Sequence, residues 1–173
     1  MLKLHNWSID GYMWRTLNDI ICSNQRSRAI LKNFVSESYE ISEGIPQGGI
    51  LSPLLWNIYF ADIPTGVANR EFYAAFADDL AVVTSSSDLK LAAQNLSRIY
   101  SKLREWAVHN RVEFNDKKVK CMVISRNRKW RKRGVKSDCK VRYRDRSGVV
   151  QVVPEVETYD YLGARLNNRL LLD

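Results

Sequence analysis

The sequence contains no long apolar run, and its cysteines are few and scattered. No stretch of about 18 apolar residues occurs, which excludes a membrane-spanning helix. The N-terminal residues do not lead into a long apolar stretch, so no secretory signal is expected. Cys22, Cys121 and Cys139 lack CxxC spacing and nearby histidine pairs, which argues against a zinc site or a disulfide framework. These absences predict an intracellular protein, with nucleus and cytoplasm left open.

Positive charge is concentrated in one segment. The formal net charge of the 173 residues is +8. Residues 126–146 contain eleven Lys or Arg and two Asp, so this segment carries +9 and the rest of the chain about −1. Trp130 and Tyr143 lie among these cations, a combination typical of binding to a phosphate backbone with occasional base stacking. A solvated surface loop is the alternative interpretation.

Apolar residues at helical spacing predict three helices. Residues 12–22 form the first. Ser52, as the N-cap before Pro53, begins a second helix that is apolar nearly all round, as a buried helix would be, and ends near residue 63. The third covers residues 88–109, and its core-facing stripe is Leu89, Ala92, Leu96, Ile99, Leu103 and Trp106.

Extended segments lie between and after these helices. The predicted ones are residues 28–34, 38–42, 72–76, 80–83, 112–114, 119–124, 140–143 and 149–153, and the last recognisable element is residues 159–166. In the first two, the candidate inward residues are Ala29, Leu31, Tyr39 and Ile41. Residues 72–83 form a hairpin, and residues 140–153 form another around the turn at 145–148. This mixed order, with antiparallel hairpins packed under helices, predicts the α+β class.

Two adjacent aspartates, Asp78 and Asp79, stand between two apolar strands. Neighbouring carboxylates in such a place repel each other and lose hydration, and a divalent cation would reverse that cost. Mg²⁺ prefers oxygen ligands and commonly takes one or two carboxylates together with substrate phosphates. Two such ions can activate a 3′-hydroxyl and stabilise a leaving pyrophosphate. An ordinary acidic turn exposed to solvent is the alternative.

A glycine-rich loop, residues 44–49, leads directly into the second helix. Pro46 fixes the backbone, and Gly48 and Gly49 allow a ligand to approach it closely. Gln47 offers a donor and an acceptor for a base or ribose edge. Phosphates are favoured at a helix N-terminus, so the loop is a candidate nucleotide site. A tight connection that needs glycine only for its geometry is the alternative.

Four short segments together resemble the reverse transcriptases of retrotransposons without long terminal repeats (non-LTR, or LINE-type, elements). Residues 44–57, Gly-Ile-Pro-Gln-Gly-Gly-Ile-Leu-Ser-Pro-Leu-Leu-Trp-Asn, look like the family's motif B, and Phe-Ala-Asp-Asp at 76–79 looks like its motif C. Asn-Asp-Lys-Lys-Val-Lys at 115–120 is similar to motif D, and Tyr-Leu-Gly at 161–163 to the primer-grip motif E. The motifs occur in the family's order, and the resemblance covers essentially the whole chain, since residues 2–11 also resemble the segment that follows motif A.

The resemblance implies roles for individual residues. Asp78 is the implied main metal ligand and Asp79 a supporting one, both catalytic, with Mg²⁺ (or Mn²⁺) expected in the complete enzyme. Lys118 is the implied proton donor to pyrophosphate. Further implied contacts are with nucleotide and template by Pro46, Gln47, Gly48, Gly49 and Phe76, with the primer by Leu162 and Gly163, and with the nucleic-acid backbone by Arg126, Arg128, Lys129, Arg131, Lys132 and Arg133.

The sequence departs from the family at several positions. Phe76 stands where the viral enzymes have tyrosine, Gly49 where serine is frequent and Val119 where threonine is usual, and none of these should abolish the chemistry. No segment matches motif A, which supplies the other metal aspartate, and the fingers and a full thumb are not recognisable. We therefore expect a truncated copy or a fragment that is inactive, or nearly so, by itself.

The architecture implied by the resemblance is a polymerase palm-like antiparallel sheet packed under helices, with a C-terminal β-hairpin region. Residues 1–125 would form the partial palm, and residues 126–173 the basic loop, hairpin and primer-grip-like segment of the same domain. The implied function is RNA-directed DNA polymerisation by two-metal nucleotidyl transfer to a primer 3′-hydroxyl. Its partners would be an RNA template, a DNA primer, deoxynucleoside triphosphates and the missing fingers and motif A region of the parent polypeptide, with no membrane.

Two other functions stay open from the sequence. One is a catalytically dead, nucleic-acid-binding remnant of a retroelement that keeps the palm fold and the basic segment. The other is a single-stranded RNA module of the RRM kind, but no aromatic-rich strand matches the stacking motif of that module. Metal binding at Asp78 would separate the polymerase from the remnant.

Overall fold

The computed structural model describes residues 2–22, 25–41, 44–68, 70–125 and 139–169. The chain divides into two compact units, residues 1–62 and residues 63–173. Within the described residues, no helix has both the length and the apolar character needed to cross a bilayer. The predicted palm boundary at residue 125 and the assignment of residues 126–173 to the same domain stay predictions.

Within its described residues, the first unit contains three helices and two short antiparallel pairs of strands. Its elements are α1 (Leu2–Asn6), α2 (Gly11–Cys22), β1 (Gln25–Ser27), β2 (Ile30–Leu31), β3 (Phe34–Val35), β4 (Tyr39–Ile41) and α3 (Ser52–Phe60). β1 pairs with β4, and β2 with β3. The core is formed by one buried leucine from each helix, Leu4, Leu17 and Leu55. Lys3 fastens α1 to α3, since its Nζ donates to the Tyr59 carbonyl and to Asp62 Oδ1, both at 2.6 Å.

Helix α2 agrees with its prediction, whereas α1 was not predicted and three further predictions in this unit are wrong. Ala29, Leu31, Tyr39 and Ile41 are all exposed, and Leu31 is 75% exposed, because no described layer covers these short strands. Helix α3 buries Leu55 alone, so it is not a fully buried helix. Its N-cap is Leu51, because the Ser52 hydroxyl donates instead to the Pro46 carbonyl at 2.5 Å.

The second unit is built around one long helix. Its elements are β5 (Glu71–Phe76), β6 (Asp79–Thr84), α4 (Leu89–His109), β7 (Arg142–Arg144), β8 (Val150–Val152), β9 (Thr158–Tyr161) and β10 (Ala164–Asn167). Asp88 caps α4, since its carboxylate accepts a hydrogen bond from the Lys90 backbone N–H. Helix α4 contacts β6 and β7. The predicted stripe is confirmed at Ile99 and Leu103, which are buried.

Two predicted strands in this unit are wrong, whereas both predicted hairpins are confirmed. Residues 112–114 and 119–124 form no strand; around Cys121 the chain makes only an isolated bridge to Glu155. The Cys121 N–H donates to the Pro154 carbonyl at 2.9 Å, but this pairing does not continue into a ladder of the kind that defines a strand. The hairpins β5–β6 and β7–β8 form around the turns predicted from the sequence.

The strands form five separate two-stranded antiparallel sheets within the described residues. Together with four helices, this composition makes the fold a mixed α+β one. A single palm-like sheet packed under helices stays a prediction.

Candidate active site

The β5–β6 hairpin carries the two predicted metal ligands at its tip. Phe76 pairs with Asp79, so Ala77 and Asp78 form a two-residue turn. Asp78 and Asp79 are both exposed, which corrects the expectation that they lose hydration between apolar strands. Phe76, 66% exposed, lies on the same face as its cross-strand partner Asp79. The tip therefore presents two carboxylates and one aromatic ring to solvent.

Ala77 holds this turn in a conformation that disfavours a side chain, with φ of +49°. A non-glycine residue there costs roughly 1–2 kcal/mol, and glycine loses part of that gain through its greater freedom in the unfolded chain. We expect Ala77→Gly to raise the free energy of unfolding by roughly 0.5–1 kcal/mol, measured by urea denaturation. Ala75→Gly, inside β5, should instead lower it. Equal losses for the two variants would contradict the strained turn.

The donor set at the tip is compatible with a magnesium-type site. Asp78 and Asp79 supply hard carboxylate oxygens, and both are open to solvent and to a substrate. Among the described residues, no group of three or more His, Cys, Asp or Glu side chains could hold a metal. An ion here would thus have two carboxylates and complete its coordination with water or phosphate oxygens, as Mg²⁺ commonly does.

Lys118 lies on a loop whose backbone is fixed by its own hydrogen bonds. The Asn115 carbonyl accepts from the Lys118 N–H at 2.9 Å, and the Asn115 side-chain oxygen accepts from the Lys117 N–H at 3.2 Å. This arrangement leaves Lys117 and Lys118 exposed. The loop therefore presents two ammonium groups to solvent.

The loop of residues 115–118, named the lysine loop from here on, is also held by a cluster of polar side chains. No pattern in the sequence indicated this cluster. Asp116 Oδ1 accepts from Arg104 at 2.6 Å and from the Tyr100 hydroxyl at 3.0 Å. The Arg104 guanidinium lies 4.8 Å from the ring centre of Tyr143. Helix α4, the lysine loop and strand β7 are thus joined at one point. Tyr143, a predicted base-stacking residue, faces α4 and is partly buried there.

Burial raises the pKa of Tyr100 to about 12, and the hydrogen bond from Arg104 opposes this rise while contact with Asp116 adds to it. The ordinary value is 10.0, so the stability that neutral Tyr100 contributes below pH 10 is lost as the pH rises toward 12. We expect the free energy of unfolding of Tyr100→Phe to fall less steeply over this interval, by up to about 1.4 kcal/mol per pH unit. Urea unfolding at pH 10 and pH 12 measures the two slopes, and equal slopes would refute this coupling.

The primer-grip-like residues occupy the turn of the β9–β10 hairpin. Leu162 and Gly163 have φ of +50° and +81°, the two positive values that a tight type I′ turn requires. The Tyr161 hydroxyl is 3.5 Å from the carbonyl oxygen of Ala74 in β5. This hydrogen bond links the hairpin of Leu162 and Gly163 to the strand that leads to Asp78 and Asp79.

In the first unit, the glycine loop is a tight turn before α3. Gly44 and Gly48 have positive φ, +111° and +81°. A Cβ on Gly49 would lie 2.7 Å from Ser52 Oγ, which accounts for glycine at this position while Ser52 donates to Pro46. Gln47 and Gly48 are exposed. The loop thus offers Gln47 and an open backbone to a ligand.

The basic residues assigned to backbone contacts lie outside the described residues. These are Arg126, Arg128, Lys129, Arg131, Lys132 and Arg133, together with the predicted stacking residue Trp130.

Comparisons with known proteins give the family. The model of the family described as reverse transcriptase (RNA-dependent DNA polymerase) matches residues 3–166. An RNA-directed DNA polymerase from the mobile element jockey of Drosophila funebris is 40% identical over 81 residues, covering 43% of this chain and 9% of the relative. The probable RNA-directed DNA polymerases from transposon BS and from the X-element of Drosophila melanogaster are 32% and 30% identical, each covering 49% of this chain and 10% of the relative.

The chain thus spans about a tenth of the length of these curated relatives. No solved structure matches it. The family match runs from α1 to β10 and includes the Asp78–Asp79 hairpin, the lysine loop and the glycine loop. The chain belongs to the reverse transcriptase (RNA-dependent DNA polymerase) family, as a domain of the non-LTR, LINE type.

Proposed function

We propose that this domain, as part of a longer polypeptide, serves to extend a DNA primer on an RNA template, with the β5–β6 hairpin as its metal-binding element. The observation that carries this proposal is the pair of exposed carboxylates, Asp78 and Asp79, at the tip of a two-residue turn inside a chain that matches the family over residues 3–166. The relative from jockey is named an RNA-directed DNA polymerase, and those from BS and the X-element are named probable RNA-directed DNA polymerases. An intracellular location stays a prediction.

Asp78 and Asp79 would bind Mg²⁺ or Mn²⁺ through carboxylate oxygens. When bound, such an ion lowers the pKa of the primer hydroxyl and offsets charge on the phosphates. Lys118 Nζ, exposed on its fixed loop, would give a proton to the leaving pyrophosphate. Asp116 carries no part of this transfer, since its carboxylate is engaged by Arg104 and Tyr100.

The remaining residues would position substrates. Gln47, exposed in the glycine loop, would hydrogen-bond the templating base or nucleotide. Phe76, exposed at the β5–β6 tip, would contribute an aromatic contact to nucleotide or template. Leu162 and Gly163 would support the primer terminus from the β9–β10 turn. Backbone contacts would come from the basic set Arg126, Arg128, Lys129, Arg131, Lys132 and Arg133. Fingers, the motif A region, template and primer would complete the enzyme.

Primer extension tests the proposal. Purified chain is mixed with a labelled primer annealed to RNA or to DNA, with deoxynucleoside triphosphates and Mg²⁺, and compared with Asp78→Asn. Asp19→Asn, an exposed aspartate on α2, is the matched control. Extension by wild type and Asp19→Asn but not by Asp78→Asn would support the assignment. Extension that survives Asp78→Asn would refute it.

Nucleic-acid binding without catalysis is the second candidate function. One observation favours it: the described part of the chain provides no third metal ligand beside Asp78 and Asp79. If all three proteins are folded and none extends a primer, this candidate is preferred for the chain by itself. The longer polypeptide would then have to supply the missing carboxylate.

A further inference from the structure

The lysine loop contains an acidic residue next to its two lysines. Asp116 directly precedes Lys117 and Lys118, and both lysine side chains are exposed. A carboxylate this close in the chain attracts the ammonium groups, so an anion that binds them must displace it first. The loop therefore contains a competitor for any anionic ligand of its own lysines.

Arg104 of α4 engages this carboxylate. Asp116 Oδ1 accepts from Arg104 Nη1 at 2.6 Å and from the Tyr100 hydroxyl at 3.0 Å. Both donors belong to α4, so the carboxylate is directed toward the helix. The Arg104 side chain is 17% exposed, whereas that of Lys102, which pairs with Glu105 on the same helix, is 54% exposed. Water and salt therefore screen the Arg104–Asp116 pair less than that surface pair.

Two aromatic rings fix the Arg104 guanidinium in place. It lies 4.8 Å from the ring centre of Tyr143 and 5.8 Å from that of Tyr100. The two rings meet edge to face, with their centroids 5.0 Å apart. A planar, delocalised guanidinium suits such a site better than the compact ammonium group of a lysine. The orientation of Arg104 is thus set by groups outside the lysine loop.

The backbone of the lysine loop is closed by hydrogen bonds of its own. The Asn115 carbonyl accepts from the Lys118 N–H, and the Asn115 side-chain oxygen accepts from the Lys117 N–H. The hydrogen bond of Arg104 to this loop goes to the Asp116 side chain. Arg104 therefore determines where one carboxylate lies, while the course of the turn is set by Asn115.

We infer that Arg104 is a positioning residue for Lys118: it holds the Asp116 carboxylate on α4 and thereby leaves the lysine ammonium groups to an anionic ligand. The identity of that ligand rests on the proposed function, because primer extension releases pyrophosphate, to which Lys118 would give a proton. Arg104 has no contact with the nucleotide in this assignment and acts only through Asp116.

Titration of the 173-residue chain with inorganic pyrophosphate, followed through the backbone amide signals of Lys117 and Lys118, tests this inference. We expect Arg104→Gln to weaken binding by about fivefold, because the released Asp116 carboxylate competes for the ammonium groups. Arg98→Gln is the matched control: it removes one arginine from an exposed position on the same helix, and should stay within about twofold of wild type. Circular dichroism verifies that each variant is folded. Arg104→Lys, which keeps the charge without the planar fork, should lose less than Arg104→Gln and replaces it in the comparison if that variant does not fold.

Adding Asp116→Asn to Arg104→Gln should restore pyrophosphate binding to within about twofold of wild type. The amide removes the competing charge, and its oxygen can still accept from the Tyr100 hydroxyl. Adding Glu105→Gln instead restores the same net charge from an exposed position on α4, and should not recover binding. A residue that merely stabilised the fold would give no recovery with Asp116→Asn, because that double variant lacks both partners of the ion pair.

Three results would overturn the inference: equal losses for Arg104→Gln and Arg98→Gln, no recovery with Asp116→Asn, or no shift of the lysine-loop signals in wild type. The titration needs no catalysis, so its outcome is independent of the primer-extension assay. Extension that survives Asp78→Asn, together with recovery in the titration, refutes the proposed function alone. Extension that depends on Asp78, without recovery in the titration, rejects this inference and leaves the proposed function standing.

Discussion

Replacing Asp78 by asparagine is expected to weaken Mn²⁺ binding at the β5–β6 tip by at least about tenfold, since changes merely behind a ligand already cost 10–100-fold. The substitution preserves the shape of the side chain and removes one of the two negative charges. Both aspartates are exposed, so the loss is not offset by relief from burial. Asp79→Asn should have a smaller effect if Asp78 is the main ligand.

Paramagnetic broadening of backbone amide signals by Mn²⁺ measures this binding without any need for activity. Signals of the turn residues Ala77 and Asp78 should broaden first in wild type, and the concentration required should rise in Asp78→Asn. Asp19→Asn should leave the tip signals unaffected. Broadening that begins at other acidic residues, or that is the same in all three proteins, would show that the tip is not the metal site.

Local patterns were sufficient to predict the elements that hold the candidate site. Two short apolar runs within residues 72–83 predicted the β5–β6 hairpin, because a polar tip interrupts them and the two strands pair in register. Helix α4 could be predicted because its apolar residues keep helical spacing along its whole length. Both signals lie within a few residues of the structure they specify.

Features that depend on distant neighbours could not be predicted in this way. Leu31 and Ile41 each lie two residues after another candidate inward residue, the spacing expected on one face of a strand. Nothing in the described fold covers them, so they are exposed. Ser52 has the sequence of an N-cap, but a carbonyl six residues earlier, at Pro46, takes its hydroxyl. In both cases the outcome depends on how the chain returns on itself, which a local pattern does not contain.

The Arg104–Asp116 pair shows the same limit at the candidate site. Its partners are twelve residues apart, and Tyr143 comes from a strand further along the chain. The position of Tyr143 among cations in the sequence suggested base stacking. In the structure, its ring instead packs against the Arg104 guanidinium. The motif singled out Lys118, but the residues that hold its loop are visible only in the structure.

Replacing Ile99 by alanine is expected to lower the free energy of unfolding of the second unit by about 2–5 kcal/mol. Ile99 is the largest fully buried side chain among the described residues, with 1% exposed, and it lies midway along α4. Truncation removes side-chain atoms that pack against neighbouring residues and leaves a cavity beside α4, the helix that contacts both β6 and β7. Ile99→Val, which removes one methyl group, should cost only about 0.5–1.5 kcal/mol.

Hydrogen exchange of α4 amides, followed by mass spectrometry, measures this change within the second unit, because peptides from residues 1–62 are read separately. Val108→Ala is the matched control: it removes a β-branched side chain from the same helix, but Val108 is 69% exposed, so a change within about 0.5 kcal/mol is expected. Faster exchange should extend from α4 to the β5–β6 hairpin, since β6 packs on that helix. A loss for Ile99→Ala no greater than that for Val108→Ala would show that Ile99 does not belong to the core of the second unit.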